Sequence, residues 1–348
     1  LKHLLIILAF ILTLTNLNHS QSIDETLSHL SSDAGSAYVE PIISAFGSNM
    51  NSGWVNGVPP ATLLGLHFQV RLIVIGTFLQ DANRTFFASG KFRYTLSQAD
   101  DILLASGFDP ISTPGYDEMR NVILSQEWQV NIAGPTITGS SDEDVKVEFP
   151  GAEIQGETVG SHVTTLRGAS GFLDNLSIFP QPAIQLDIGN VIGTSASIRY
   201  FPTVDIKDVG KASLWGVGLL HNIGFWFNNP LPIELGFGFF YQKLNVGDVF
   251  VNKSTQFGVY LSKTLGVVIS FTPYLGVTYE SSSTSVSYTF NFNTPIGPQN
   301  TNIAFDREGI NNVALTIGGA LNLPVVSFNV DYKIAKIKTL TLGLSFGM

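Results

Sequence analysis

Seven side chains stand where they could act on a solute rather than only on the fold: His67 and Arg71, Arg199 and Asp205, Glu234, and Asp331 with Lys333. Within each pair the spacing is even, and in an extended strand even spacing places side chains on one face. Mixed charges collected on one face of a closed sheet can form a selectivity or binding ring for a passing solute. They can equally pair with one another to stiffen a wall or hold a plug. Enzymatic chemistry would need a Ser/His/Asn or Asp/His constellation. His29, His67, His162 and His221 stand outside any such motif, and no His/Asp/Glu pair with ligand spacing has a second pair to complete a metal site. The chain contains 0 Cys, which excludes disulfides and cysteine-ligated metal. The reading is of a protein that is not an enzyme and carries neither metal nor cofactor.

These residues share a compartment only if the chain around them is extended, and alternation says that it is. From Thr339 to Met348, Leu340, Leu342, Leu344, Phe346 and Met348 alternate with Thr339, Thr341, Gly343, Ser345 and Gly347, so that one face is wholly apolar. Val326, Phe328, Val330, Tyr332 and Ile334 alternate with Ser327, Asn329, Asp331 and Lys333. Before them Val313, Leu315, Ile317 and Leu321 oppose Ala314, Thr316, Gly318 and Asn322, with a tight turn at Leu323–Pro324. Val286, Tyr288, Phe290 and Phe292 oppose Ser285, Ser287, Thr289 and Asn291. The pattern recurs in Ile269 to Tyr279, Phe257 to Leu261, Ile233 to Tyr241, Trp215 to Leu219, Ala196 to Ile206 and Ile184 to Ile188. Upstream, Leu64 to Val74 alternates in the same way, and Phe86, Ala88, Phe92 and Tyr94 can form its return strand. The pattern predicts twelve strands, or fourteen if the hairpin of Trp128, Val130 and Ile132 with Val145, Val147 and Phe149 also inserts. Most have a length of about 10 residues, which a tilted membrane strand needs.

Composition agrees. Charged residues make up 13% of the chain, against about 25% in an ordinary soluble domain. Mean hydropathy is +0.24, yet beyond the N-terminus no apolar stretch approaches the roughly 18 residues of a membrane helix. The formal net charge of −9 and the scatter of 18 Lys+Arg exclude the basic cluster that a nucleic-acid partner wants. Lys2 followed by the apolar run Leu4 to Leu14 reads as a signal peptide over residues 1–20, cut near Ser20–Gln21.

Polar groups are costly in hydrocarbon, and only a closed sheet leaves no unpaired edge there. The expected fold is therefore all-β, a transmembrane antiparallel barrel over 61–348 with its apolar face to lipid and its polar face to a lumen. Gly236, Gly238, Gly276, Gly318 and Gly343 would leave that interior open or admit a plug. Residues 21–60 are expected to form a small plug or periplasmic segment. Residues 97–125, where Ser97 reads as a helix cap, and 150–182 are expected at the periplasmic rim or in the lumen. With the C-terminus taken as periplasmic, the Asn293–Asn312 connection falls outside, and Leu323–Pro324, Glu280–Ser283 and Ile206–Lys211 fall on the periplasmic side. Trp215, Phe225 to Phe227, Tyr241, Tyr279 and Tyr288 suit the membrane interfaces.

The sequence also resembles an uncharacterised family of Gram-negative outer-membrane barrels, a domain of unknown function. The residues that carry the likeness begin with Asn51-Ser52-Gly53-Trp54, Leu64-Gly65-Leu66 and Gly134-Pro135-Thr136. They continue through Ile198-Arg199-Tyr200-Phe201-Pro202-Thr203, Gly216-Val217-Gly218 with His221, and Tyr241-Gln242-Lys243. Phe271-Thr272-Pro273-Tyr274, Ala320-Leu321-Asn322-Leu323 and Asp331-Tyr332 complete them. In layout, a small N-terminal segment ahead of the strands, the chain is similar to FadL-type transporters of hydrophobic compounds. It departs from the common aromatic C-terminus in Met348, with Phe346 two residues earlier. The expectation is a pore or transporter for a small solute, hydrophobic compounds included, with a packed structural or adhesive barrel as the alternative. Its partners would be outer-membrane lipid, the barrel-assembly machinery and that solute.

Overall fold

A computed structural model describes residues 32–166, 171, 173–174, 176–206, 210–229, 231–294 and 297–347. The signal-peptide reading, His29 and Met348 lie outside these residues.

The described chain opens with helix α1 (Ser32–Met50) and continues through an irregular segment to β1 (Leu64–Phe78). There follow β2 (Thr85–Phe92), α2 (Leu96–Ala105), α3 (Tyr116–Ser125), β3 (Trp128–Pro135), β4 (Val145–Phe149), β5 (Ala152–Ile154), β6 (Glu157–Val159) and β7 (His162–Leu166). The remaining elements are all strands apart from one short turn of helix: β8 (Ile178–Val191), β9 (Thr194–Ile206), β10 (Gly210–Asn222), β11 (Glu234–Val246), β12 (Phe250–Ser262), β13 (Leu265–Gly266), β14 (Ser270–Thr294), β15 (Gly297–Glu308), β16 (Val313–Asn322), β17 (Val326–Ile334) and β18 (Thr339–Gly347).

Ten of these strands close a ring. Going round, β1 pairs with β8, then come β9, β10, β11 and β12, β12 pairs with β14, and β16, β17 and β18 lead back to β1, all antiparallel. Closure pairs the strand edges, which in hydrocarbon would otherwise leave backbone groups unsatisfied. Leu66, Phe68, Val70, Val74, Val217, Leu219, Phe237, Phe257, Val277, Phe328, Val330 and Leu342 are exposed on the outside. Arg71, Gln185, Arg199, Gln242, Gln256, Glu280, Asp331, Lys333 and Thr341 are buried inside. That distribution is the reverse of a water-soluble barrel. No helix among the described residues is long and apolar enough to cross a membrane; the strands are the crossing elements.

The ring has fewer strands than the twelve to fourteen that alternation suggested, for two reasons. First, Ile269–Tyr279 and Val286–Phe292 are not separate strands but lie on β14, a single strand of 25 residues. Its outward side chains are apolar up to Tyr279 and become Ser281, Ser283 and Ser285 beyond it. The strand leaves the membrane there, so the apolar residues from Val286 onward appear in the opposite phase and mimic a turn at Glu280–Ser283. Second, Phe86–Phe92 does not return beside β1. It lies in β2, which joins β3, β4 and β7 in a separate four-stranded sheet.

That sheet, with α2, α3 and the β5–β6 hairpin, forms a cap with its own core of Phe92, Tyr94, Ile102, Leu103, Met119, Ile123, Val130, Ile132, Val147 and Phe149. Residues 178–182 of the expected insertion 150–182 open β8, whereas 97–125 and the described residues of 150–177 are parts of one unit. It connects β1 to β8 at the end of the barrel opposite Gly347, where Phe78 N–H reaches Lys338 O and Leu79 N–H reaches Ser177 O. The β14–β15 hairpin and the ends of β9 and β11 lie at this same capped end. The Ile206–Lys211 connection is therefore on the side opposite Leu323–Pro324, since fusing two expected strands into β14 inverts the parity of every connection before it. At the other end lie the short β8–β9 and β16–β17 turns and the longer β10–β11 and β12–β14 connections. In the β8–β9 turn Ile192 and Gly193 both have positive φ, the geometry a two-residue hairpin requires.

Candidate functional site

The lumen is occupied by the chain's own N-terminal segment. The first half of α1 packs into the cap, with Ala34 and Tyr38 in its core. Beyond Pro41 the helix descends into the barrel. Residues Ser48 to Pro60 then run the length of the lumen and emerge at the uncapped end, where β1 begins.

Three levels of contact hold this segment. At the capped end, Thr77 Oγ1 donates to Asn49 Oδ1 at 2.6 Å, Asn49 Nδ2 donates to Phe179 O at 3.1 Å, and Ser48 Oγ lies 2.7 Å from Thr339 Oγ1. In the middle, wall side chains donate to successive plug carbonyls. Lys333 Nζ reaches Ser48 O at 2.8 Å, Gln256 Nε2 reaches Asn51 O at 2.9 Å, and Arg199 Nη1 reaches Ser52 O at 3.1 Å. Arg71 reaches Gly53 O at 3.3 Å and Trp54 O at 2.9 Å, the latter shared with Gln185 at 3.0 Å. At the uncapped end, Trp54, Val55 and Val58 pack on Leu220, Phe240 and Tyr260. Asn222 Nδ2 there donates to Pro59 O at 2.7 Å.

The charges are arranged in opposition. Among the described residues the barrel buries three cations, Arg71, Arg199 and Lys333, and three carboxylates, Asp187, Glu280 and Asp331. Lys333 pairs with Glu280 at 3.0 Å and Arg71 with Asp187 at 3.6 Å. Arg199 has no carboxylate within 4 Å among the described residues. Its guanidinium lies 3.8 Å from the centre of the Trp54 ring and donates to Gln185 Oε1 and Gln242 Oε1. Asp331 accepts from the Tyr274 hydroxyl at 3.0 Å.

Of the seven residues singled out in the sequence, Arg71, Arg199, Asp331 and Lys333 lie deep inside the barrel. His67 is half-buried at the uncapped mouth, with Nδ1 3.4 Å from Gly65 O. Glu234, at the same mouth, accepts a hydrogen bond from Asn222 Nδ2. Asp205 does not line the lumen: it is exposed. A bulge is the reason. Phe201 opposes Leu214 and Val204 opposes Ala212, so Pro202 and Thr203 together face the single residue Ser213. The extra residue turns Val204 inward and Asp205 outward, breaking the alternation that related it to Arg199.

Sequence reasoning missed Gln185, Asp187, Gln242, Gln256 and Glu280. Alternation could have found the first two, which interleave with the outward Ile184, Leu186 and Ile188. Glu280 was hidden in the apparent turn. Of the inward glycines, Gly236 admits the plug's Val58, Gly343 lies under the Asn329 amide, and aromatic rings lie over Gly238, Gly276 and Gly318. A β-carbon on Gly258 would meet the Tyr260 ring at 2.5 Å, and one on Gly318 would meet the Tyr274 ring at 2.4 Å. These glycines seat bulky lumen side chains against the wall and do not leave space. No cluster of three or more His, Cys, Asp or Glu suited to a metal occurs among the described residues.

A closed antiparallel sheet with an apolar outside and a polar, plugged interior defines the class: an outer-membrane β-barrel. The chain belongs to the family of unknown function DUF6588, whose model matches residues 1–348. No curated protein matches it. Among solved structures it is similar to Ail, the attachment invasion locus protein of Yersinia pestis, at 13% identity over 44% of this chain and 97% of that one, with a TM-score of 0.21. The transport unit of the autotransporter AIDA-I from Escherichia coli matches at 6% identity over 88% and 97%, with a TM-score of 0.26. The outer membrane protein opdK from Pseudomonas aeruginosa matches at 8% over 82% and 99%, with a TM-score of 0.18. Likenesses at these scores carry no argument, and the class rests on the geometry above.

Proposed function

We propose that this barrel is a gated pore or transporter, closed at rest by residues 48–60 and passing a small solute when that segment gives way. One observation carries the reading: the middle of the plug is held through its backbone carbonyls, by donors projecting from the wall. Water can replace each such bond one for one, so a plug of this kind can move without stranding a buried partner. On this reading the chain is exported by its N-terminal signal and inserted by the barrel-assembly machinery, with lipid around its outer face. The end with Gly347 faces the periplasm and the cap, the largest connection between barrel strands, faces outward, as the longer connections of such barrels do.

The alternative, a structural or adhesive barrel, draws support from how full the lumen is. The void beside the plug, lined by Asn51 to Val55, Gln256, Asp331 and Lys333 among others, has a volume of about 20 Å³. Conductance of the purified full-length protein in a planar bilayer separates the two. Stable or ligand-induced current supports a pore, and silence under all conditions supports a packed barrel.

A further inference from the structure

We infer that the outer wall from β10 to β14 holds a site for one anionic, phosphate-bearing lipid, its acyl chain in an apolar groove and its phosphate between Lys243 and Lys253. The site belongs to the lipid-facing surface and does not depend on whether the lumen conducts.

The groove has a volume of about 560 Å³, within the roughly 300–1,000 Å³ of small-molecule sites. Leu219, Phe237, Phe239, Phe257, Val277 and Tyr279 are among the residues that line it. All six are exposed on the outside of the barrel, so the groove opens toward lipid. Phe239 and Phe257 face each other across β11 and β12, with ring centres 4.9 Å apart.

Strand register sets two lysines at the head of this groove. On the outer face of the β11–β12 pair Phe239 opposes Phe257, Tyr241 opposes Thr255, and Lys243 opposes Lys253. At about 3.3 Å per residue, the lysines stand roughly 13 Å from the phenylalanine pair along the strands, toward the cap. Tyr279, opposite Phe257, is the last apolar outward residue before β14 leaves the membrane, and Lys253 opposes Ser283 beyond it. The lysines therefore lie at the level of lipid headgroups. Trp215, which opposes Lys243 and has its ring centre 5.5 Å from that of Tyr241, is suited to the same depth.

Like charges directly opposite on neighbouring strands destabilise a sheet unless an opposite charge joins them. The protein supplies none: among the described residues neither lysine has a carboxylate within 4 Å. The outward residues beside them are Trp215, Tyr241, Asn245, Val251, Thr255 and Ser283, all uncharged. Glu308 stands one strand further on, opposite Ser283. A lipid phosphate is an anion confined to this depth, and the chain attached to it runs down the wall into the groove. Lysine stems lie along apolar surface while the ammonium reaches the headgroup.

For the test, the purified full-length protein in detergent is titrated with phosphatidylglycerol and with phosphatidylcholine, and bound lipid is read by native mass spectrometry. Phosphatidylglycerol should be retained about tenfold more tightly. Substituting Lys243→Gln and Lys253→Gln together should abolish that preference. Substituting Lys336→Gln and Lys338→Gln removes the same charge from an exposed turn at the capped end, between β17 and β18, and should leave it intact. Val259→Trp, which fills the groove, should weaken retention of both lipids, and excess inorganic phosphate should displace neither. Equal retention of the two lipids, equal effects of the two lysine pairs, or undiminished retention in Val259→Trp would overturn the inference. Displacement by phosphate would overturn the lipid as occupant. Heat-modifiable migration verifies folding, and should the Lys243/Lys253 double variant fail it, the two single substitutions decide. Because binding is read without conduction, a silent bilayer would sink the pore reading and leave this site standing.

Discussion

The guanidinium of Arg199 on β9 lies 3.8 Å from the centre of the Trp54 ring in the plug, and the same side chain donates to the carbonyl of Ser52 two residues earlier. Trp54 also stacks on Phe240, with ring centres 5.1 Å apart. A cation buried without a carboxylate is thus stabilised by a ring, two glutamine oxygens and a plug carbonyl, and it joins wall to plug at the centre of the barrel.

Arg199→Ala should therefore lower thermal stability and raise solute leak from liposomes together. Arg199→Lys should restore little, because an ammonium cannot reproduce the planar stack and the forked donation. Stability loss without leak would show that the contact serves the wall alone.

Lys333 and Glu280 are both fully buried and paired at 3.0 Å. Lys333→Met or Glu280→Gln alone should each cost roughly 3–5 kcal/mol by stranding a buried charge. The double variant should recover much of that in chemical unfolding, and additive losses would contradict the pairing.

Leu342 faces lipid and Ser281 also faces outward, but beyond the point where β14 leaves the membrane. Leu342→Arg should cost roughly 2–4 kcal/mol and Ser281→Arg almost nothing. Equal penalties on refolding into bilayers would misplace the boundary at Tyr279. Thr341→Arg, directed inward, should also fail, because a β-carbon on Gly53 of the plug would already meet Thr341 Cγ2 at 2.8 Å.

Tyr38 lies in the cap core, and burial pushes its hydroxyl up to about 12. The folded state holds this proton more tightly than the unfolded chain, so its contribution, roughly 2–3 kcal/mol, is complete below the ordinary tyrosine range near 10 and is lost as pH rises toward 12. Alkaline unfolding of the cap should shift to higher pH in Tyr38→Phe. An unchanged midpoint would count against burial of this hydroxyl.

The sequence by itself determined the class of the protein, because alternation of period two records which face of each strand meets lipid, and that record is local. It showed Arg71, Arg199, Asp331 and Lys333 as inward residues for the same reason. It also set the N-terminal stretch apart as lying outside the pattern, without deciding between a plug and a periplasmic segment. Only the tertiary structure decided how many strands close the ring, because the phase reversal in β14 looks locally the same as a turn. It also decided that a bulge at Pro202–Thr203 turns Asp205 out, and that Phe86–Phe92 pairs within the cap. Above all it decided the partners of the buried charges. Arg199 meets Trp54 across 145 positions of chain, and Lys333 meets both Glu280 and the Ser48 carbonyl. Alternation fixes the face of a side chain but carries no information about what the closed ring places opposite it.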